Sequence, residues 1–176
     1  MARTAPHVVY LDTSILTAWL KDEDRPNDQM LGVYECFERI RKWEIQAIVS
    51  SLCYAEIDVA QYPPDRQTEF YRLLSERNPQ EVSIDTRVCR LAGKLRWFYR
   101  DRSMKLETPD ALHLAAAIHY EAVEFYVFDD GVEKKRTSLI DLSGTVGGHA
   151  LAILKPPVTR PRLDFRRKPS ADKPGE

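Results

Sequence analysis

Four acidic side chains stand where they could act together, although they are scattered over a chain of 176 residues. They are Asp12, Glu56, Asp110 and Asp129. Asp12 directly follows the apolar run 7–11 and Asp129 directly follows 124–128, and both runs are typical of buried strands. Ligands of open α/β sheets bind outside the carboxyl ends of the strands. We therefore expect Asp12 and Asp129 at the same edge of one sheet.

The other two acids belong to predicted helices. Asp110 falls in the first turn of a helix over 108–122, whose start is marked by a Thr-Pro pair. The helix dipole favours a carboxylate there by about 0.3–1 kcal/mol. Glu56 falls in a helix predicted over 50–62, directly after a strand over 45–49. If that strand is parallel to the first, this helix also begins at the carboxyl edge and the four acids converge.

Converging carboxylates have a characteristic chemistry. They repel one another and raise one another's pKa unless a cation compensates them. Ligand sets made only of oxygen select Mg²⁺ or Mn²⁺ over zinc. Two such ions about 3.5–4 Å apart can activate water and stabilise the leaving oxygen of a phosphodiester. The acids therefore predict metal-dependent hydrolysis of a phosphodiester.

Each acid also has a simpler explanation when it is considered alone. Asp12 fits a turn or a helix cap, and Asp110 fits ordinary helix-start chemistry. Glu56 fits a solvated helix position, and one of Asp129 and Asp130 fits the turn in "DDG". Only the joint placement favours a shared site, and both interpretations stay open at this point.

The order of elements predicts the fold class. Strands are expected at 7–11, 45–49, 81–84 and 124–128, and helices at 28–43, 50–62, 65–77, 85–101 and 108–122, with 137–142 a candidate fifth strand. Alternating strands and helices predict an α/β fold with a mainly parallel central sheet covered on both faces.

Composition narrows the class of protein. Hydrophobic residues make up 43% of the chain and the formal net charge is −1, so nucleic-acid binding would need a local basic patch. Three cysteines without a CxxC pair disfavour a disulfide framework or a zinc ribbon. No membrane-length run, signal peptide or Gly-rich phosphate loop is visible. We expect a cytoplasmic protein with no membrane partner, and not an NTPase.

Four segments, "VVYLDTSIL", "SSLCYAEI", "TPDALHLAAAIHY" and "YVFDDGV", resemble the acidic motifs of PIN-domain ribonucleases in order and spacing. They are most similar to VapC-type toxins of toxin–antitoxin pairs, over residues 7–142. The resemblance implies an α/β/α sandwich and Mg²⁺- or Mn²⁺-dependent cleavage of single-stranded RNA that leaves a 5′-phosphate. It implies a small antitoxin partner and a homodimer. Carried over by motif, the metal ligands and catalytic acids are Asp12, Glu56, Asp110 and Asp129, with Thr13 or Ser14 in support.

The fourth motif departs from the family. A Thr or Ser usually stands two residues before the acid, where this chain has Val127 before Asp129 and Phe128 before Asp130. We favour Asp129, because Val132 then matches the apolar residue that commonly follows three positions later. The missing hydroxyl supports an alternative, a non-catalytic PIN-like module that binds RNA or acts as a scaffold.

A third interpretation is a phosphatase similar to the haloacid dehalogenases, since Asp12 follows a strand. That family expects a second Asp two residues later, where this chain has Ser14.

Basic residues suggest where RNA would lie. Residues 85–105 carry seven Lys or Arg against two Asp and lead toward Asp110, which suits a ribose-phosphate backbone. Trp97 and Tyr99 could stack on bases, although Trp97 also fits the core. His113, three residues after Asp110, could support the acids or simply pack.

The last part of the chain differs in composition from the rest. Residues 155–176 are rich in proline and hold seven Lys or Arg against three Asp or Glu. We therefore place the nuclease domain at 1–154 and interpret 155–176 as an extended arm that binds RNA or a partner or only aids solubility.

Overall fold

The computed structural model describes residues 7–26, 28–129 and 138–159. Six α-helices run in chain order as α1 Thr13–Lys21, α2 Gln29–Arg41, α3 Cys53–Glu56, α4 Pro64–Ser75, α5 Thr86–Arg100 and α6 Thr108–His119. The strands are β1 Val8–Leu11, β2 Gln46–Ser50, β3 Gln80–Val82, β4 Glu124–Tyr126, β5 Gly144–Val146 and β6 His149–Leu154. Two 3₁₀ helices occupy Val59–Gln61 and Leu139–Leu142. Within the described residues, no helix combines the length and the apolar composition needed to cross a bilayer.

The strands form one sheet in the order β3-β2-β1-β4-β6-β5. Every pairing is parallel except that of β5 with β6. The central strand β1 has neighbours on both sides, since Val9 is in register with Ala47 of β2 and Glu124 of β4. This confirms the predicted mainly parallel sheet, and it puts the carboxyl ends of β1, β2 and β4 at one edge.

Helices cover both faces of the sheet. Val9 and Leu11 face a core formed with α1, α2 and α4, whereas Tyr10 faces a second core formed with α5 and α6. Successive side chains of a strand point to opposite faces, which is why one apolar run supplies both cores. The three-layer α/β/α sandwich is therefore confirmed.

Five elements differ from the prediction, and two of them are the strands β5 and β6, in a segment for which the sequence predicted none. A helix, α1, begins directly after Asp12, in a segment for which the sequence left only a turn or a cap. The helix expected over 50–62 is divided, because Ile57 is extended after α3 and the 3₁₀ helix Val59–Gln61 follows. The candidate strand over 137–142 is wrong for 139–142, which form the second 3₁₀ helix. That helix begins where Ser138 Oγ accepts a hydrogen bond from Ile140 N.

One buried amide joins three backbone segments at the other end of the sheet. The Nδ2 atom of Asn78 donates to the carbonyl oxygens of Ile40 and Ile45, both at 2.9 Å. Its Oδ1 atom accepts from Ala47 N at 2.8 Å. Asn78 thereby fixes the end of α2 and the start of β2 against the segment that leads into β3.

The described part of the arm, 155–159, packs on α2. Glu35 is buried, and its Oε2 atom accepts from the backbone N and the hydroxyl of Thr159 at 2.7 and 2.8 Å. A Cβ atom on Gly32 would lie only 2.2 Å from the carbonyl oxygen of Pro156, so glycine permits this close approach. Residues 160–176 of the predicted arm lie outside the described residues.

Candidate active site

Asp12 joins β1 to α1 at the carboxyl edge of the sheet. Its backbone is extended, and its Oδ2 atom accepts from Ser14 N at 2.9 Å, so it caps α1. Its own backbone N donates to Tyr126 O of β4 at 3.0 Å. Asp12 is only 9% exposed, and its Oδ1 atom lies 3.8 Å from His113 Nε2. The cap interpretation is therefore confirmed, and the second oxygen of the same carboxylate faces a buried histidine.

His113 occupies the centre of the site and is only 3% exposed. Its Nε2 atom lies 2.8 Å from Oε2 of Glu56. Its Nδ1 atom lies 2.7 Å from the Tyr10 hydroxyl. If that hydroxyl donates to Nδ1, the remaining ring proton is on Nε2 and is donated to Glu56. The sequence suggested His113 only as a candidate, although the spacing of three residues from Asp110 places both on one helix face.

Three of the four predicted acids affect the pKa of this histidine. Burial lowers the pKa of His113, but the bond to Glu56 and the charges of Asp12 and Asp110 outweigh it, and the pKa is raised. Burial acts to raise the pKa of Glu56, but hydrogen bonds from His113 and Thr13 overcome it, and the pKa is lowered. The raised pKa favours the protonated form of His113, and in that form its charge compensates carboxylates that would otherwise repel one another.

The hydroxyl groups of Thr13 and Ser14 make different contacts. The Thr13 hydroxyl donates to Oε2 of Glu56 at 2.5 Å, so it supports the second acid rather than the first. The Ser14 hydroxyl accepts from Phe128 N at 3.0 Å. Ser14 therefore brings a hydroxyl to the end of β4, close to the position where the fourth motif lacks one.

The last two acids differ in their surroundings, because Asp110 lies in a helix and Asp129 follows a strand. Asp110 lies in the first turn of α6, as predicted, although Glu107 rather than Thr108 takes the cap position. Asp129 follows β4, and its Oδ2 atom accepts from Leu139 N. Asp12 and Glu56 therefore lie within 3.8 Å of His113 Nε2, and Asp110 lies three residues before His113 on the same helix, whereas Asp129 accepts from a backbone N–H.

The competing acid Asp130 lies outside the described residues, so the choice between the two stays a prediction. Within 7–26, 28–129 and 138–159, no three His, Cys, Asp or Glu side chains are spaced as a ready-made metal cluster. The donor set nevertheless suits a hard divalent ion, because Mg²⁺ takes one or two carboxylates and keeps several waters.

The two aromatic residues proposed for base stacking differ. Trp97 is 60% exposed, so its assignment to the core is wrong. Tyr99 is buried, and its hydroxyl accepts from Gly147 N at 3.2 Å, so stacking is wrong for Tyr99.

The family model for the PIN domain matches residues 9–137. That match covers most of the chain, and the protein therefore belongs to the PIN domain family. No protein in the curated set that we compared matches the sequence significantly.

Solved structures share the fold at low sequence identity. VapBC2 from Rickettsia felis, bound to a DNA fragment from its promoter, has a TM-score of 0.59 and 15% identity, and the match covers 83% of this chain and 98% of that one. FitAcB from Neisseria gonorrhoeae has a TM-score of 0.54 and 16% identity, with 84% and 97% covered. VapC20 from Mycobacterium tuberculosis, a sarcin-ricin loop cleaving toxin, has a TM-score of 0.51 and 11% identity, with 69% and 89% covered. The chain thus has the fold of VapC-type structures.

Proposed function

We propose that the protein is a Mg²⁺- or Mn²⁺-dependent endoribonuclease that cleaves single-stranded RNA. The observation that carries the proposal is the position of Asp12 and Glu56 within 3.8 Å of the buried His113, which lies three residues after Asp110 on α6. Membership of the PIN domain family supports the same chemistry. A structural role such as capping a helix does not require two further carboxylates from distant parts of the chain.

In this proposal the ligands of the metal are Asp12, Glu56, Asp110 and Asp129. The metal, when bound, supplies a water of lowered pKa and neutralises charge on the phosphate. Thr13 and His113 hold Glu56 by two hydrogen bonds to Oε2, and its Oε1 atom would be available to bind an ion. The cap at Ser14 N fixes Oδ2 of Asp12 in the same way, so that Oδ1 points into the site.

The experiment measures cleavage of end-labelled single-stranded and hairpin RNAs by the purified chain with Mg²⁺, Mn²⁺ or EDTA. Asp110→Asn is the test variant. The matched control is Asp65→Asn, because Asp65 also lies in the first turn of a helix that carries proline at its start. We expect metal-dependent cleavage in the wild type and the control, and its loss in Asp110→Asn.

Two results would contradict the proposal. Cleavage that survives in Asp110→Asn would remove the site assignment and indicate a contaminating nuclease. RNA binding without cleavage in either metal would favour the non-catalytic module, whose support is Val127 in the place of a hydroxyl residue.

The biological setting we propose is the toxin of a toxin–antitoxin pair, with the nuclease in residues 1–154. VapC20, to which the fold is similar, is a toxin that cleaves RNA at the sarcin-ricin loop. We propose a small antitoxin and a second copy of the chain as partners in the cytoplasm. Induction of the wild type should arrest growth of a bacterial host, induction of Asp110→Asn should not, and light scattering of the purified chain should give the mass of a dimer.

A further inference from the structure

A second concave site lies between α5 and the loop that leads to α6. Its volume is about 480 Å³, which falls within the range of sites for small ligands. Its lining includes Gly93, Arg96, Trp97, Arg100, Lys105 and Leu106. None of the described residues that line it is acidic. We call it the α5 pocket.

The side chains of the α5 pocket offer one flat ring and several cations. Trp97 is 60% exposed on its wall, which is unusual for so large an apolar ring. Arg96 Nε donates to Leu106 O at 3.3 Å and so joins the helix to the loop. Arg100 is exposed and has no salt-bridge partner within the described part of the chain. Lys105 adds a third cation, paired with Glu107 at 2.7 Å.

Gly93 keeps the α5 pocket open. It lies in the middle of α5, where glycine is the least favourable residue apart from proline. A Cβ atom built there would meet nothing within 4 Å. Packing therefore does not require glycine at this position, and any longer side chain would project toward the space between Trp97 and the loop.

We propose that the α5 pocket binds one nucleotide of a single-stranded RNA, with its base stacked on Trp97 and its phosphate on Arg100. Stacking accepts any base because every base has a π face, and guanidinium groups bind phosphate through two parallel hydrogen bonds. The proposal rests on the nuclease function above and assigns a subsite for the strand beyond the point of cleavage.

The chain itself limits the distance between the two sites. Leu106 lines the α5 pocket and Asp110 lies four residues later, so their Cα atoms are at most about 14 Å apart. One RNA strand can therefore occupy both sites with nearby nucleotides. An acidic peptide of a protein partner would also meet the cations, but it would leave the exposed ring of Trp97 without a flat partner.

The test uses the full chain in EDTA, so that binding is measured without cleavage. The probe is a fluorescent pool of random single-stranded RNA 12-mers that contain 4-thiouridine. The variants are Trp97→Ala, Arg100→Glu and Gly93→Leu, and the last fills the α5 pocket without removing any contact. The controls are Trp43→Ala and Arg77→Glu, a similarly exposed Trp before β2 and an exposed Arg before β3, neither of which lines the α5 pocket.

We expect each of the three variants to weaken binding about tenfold or more, since stacking on one aromatic ring contributes on this scale. The two controls should bind as the wild type does, and photo-cross-links should map to the peptide that contains Trp97. Thermal unfolding of all five variants checks that the fold is intact, and if Gly93→Leu unfolds, Trp97→Phe should retain most of the binding that Trp97→Ala loses.

The outcomes separate this proposal from the nuclease itself. A wild type that cleaves RNA, with variants that bind and cleave normally, would overturn the α5 pocket and leave the nuclease in place. Cross-links at Trp97 without any cleavage would support the α5 pocket and contradict the nuclease. Failure of the wild type to bind the pool would overturn the proposal. Displacement of RNA from Trp97 by poly-glutamate would overturn it in favour of an acidic protein segment.

Discussion

His113 Nε2 lies 2.8 Å from Glu56 Oε2, and this short contact joins residues 57 positions apart. Neither group is well suited to its surroundings alone, because burial acts against the charged form of each. Together with the Thr13 hydroxyl, the histidine restricts Glu56 to one orientation. These two contacts hold the carboxylate of Glu56 in one position.

Loss of this contact should weaken metal binding. We predict that His113→Ala raises the Mn²⁺ concentration needed for half-maximal cleavage about 10- to 100-fold, the usual effect of removing a group that orients a ligand. Titration calorimetry with Mn²⁺ should show the same shift in affinity. His119→Ala, one and a half turns later on α6, is the control. Equal metal dependence in both variants would mean that His113 only fills space.

Asn78 should be one of the most sensitive polar positions in the protein. Asn78→Ala removes three hydrogen bonds and leaves the Ala47 N–H buried without a partner. We expect the free energy of unfolding to fall by about 2–4 kcal/mol, since each bond contributes about 1 kcal/mol and an unsatisfied buried group costs more. Urea unfolding measures this change. The neighbouring Arg77→Ala should stay within about 0.5 kcal/mol of the wild type.

Two glycines should respond to alanine with opposite signs. Gly147 has φ +58°, and a Cβ atom there would lie 2.3 Å from Leu95 Cδ2. We therefore expect Gly147→Ala to destabilise the fold by about 1–3 kcal/mol. Gly93 is helical with open space around it, and Gly93→Ala should stabilise the fold by about 0.4–1 kcal/mol. Thermal unfolding measures both changes in stability, and equal shifts for the two variants would contradict the packing described here.

The three cysteines should differ in reactivity. Burial raises the pKa of the Cys36 and Cys53 thiols to about 12, so both stay protonated at pH 8. Cys89 is exposed. Because the thiolate is the nucleophile, iodoacetamide at pH 8 should modify Cys89 and spare the other two until the protein unfolds. Mass spectrometry of the labelled peptides gives the ratio, and rapid modification of Cys36 in the folded chain would count against its burial.

The parts of the fold that sequence predicted are those with strong local signals. The Thr-Pro pair before Asp110 marked the start of α6, and the apolar runs marked β1, β2 and β4. The strands β5 and β6, joined through Gly147 and Gly148, were not predicted, because β5 has only three residues and β6 contains two alanines, a residue type depleted in strands.

The role of His113 depends on contacts that no local pattern contains. It contacts Tyr10, which is 103 positions away in sequence, and Glu56, which is 57 positions away. Its position three residues after Asp110 suggested a supporting role, and the alanines around it suggested packing. The sequence proposed the acids through their motifs and left His113 as a candidate with two interpretations, because its partners are distant along the chain.

The bond from Asp12 N to Tyr126 O ties the first strand to one of the last elements of the domain. During synthesis, Asp12 and Glu56 leave the ribosome long before His113 and β4 exist. A nascent or truncated chain that ends before residue 110 lacks both His113 and the third acid, Asp110. The proposed site can therefore form only after His113 and β4 have been synthesised, so its assembly depends on most of the domain being present.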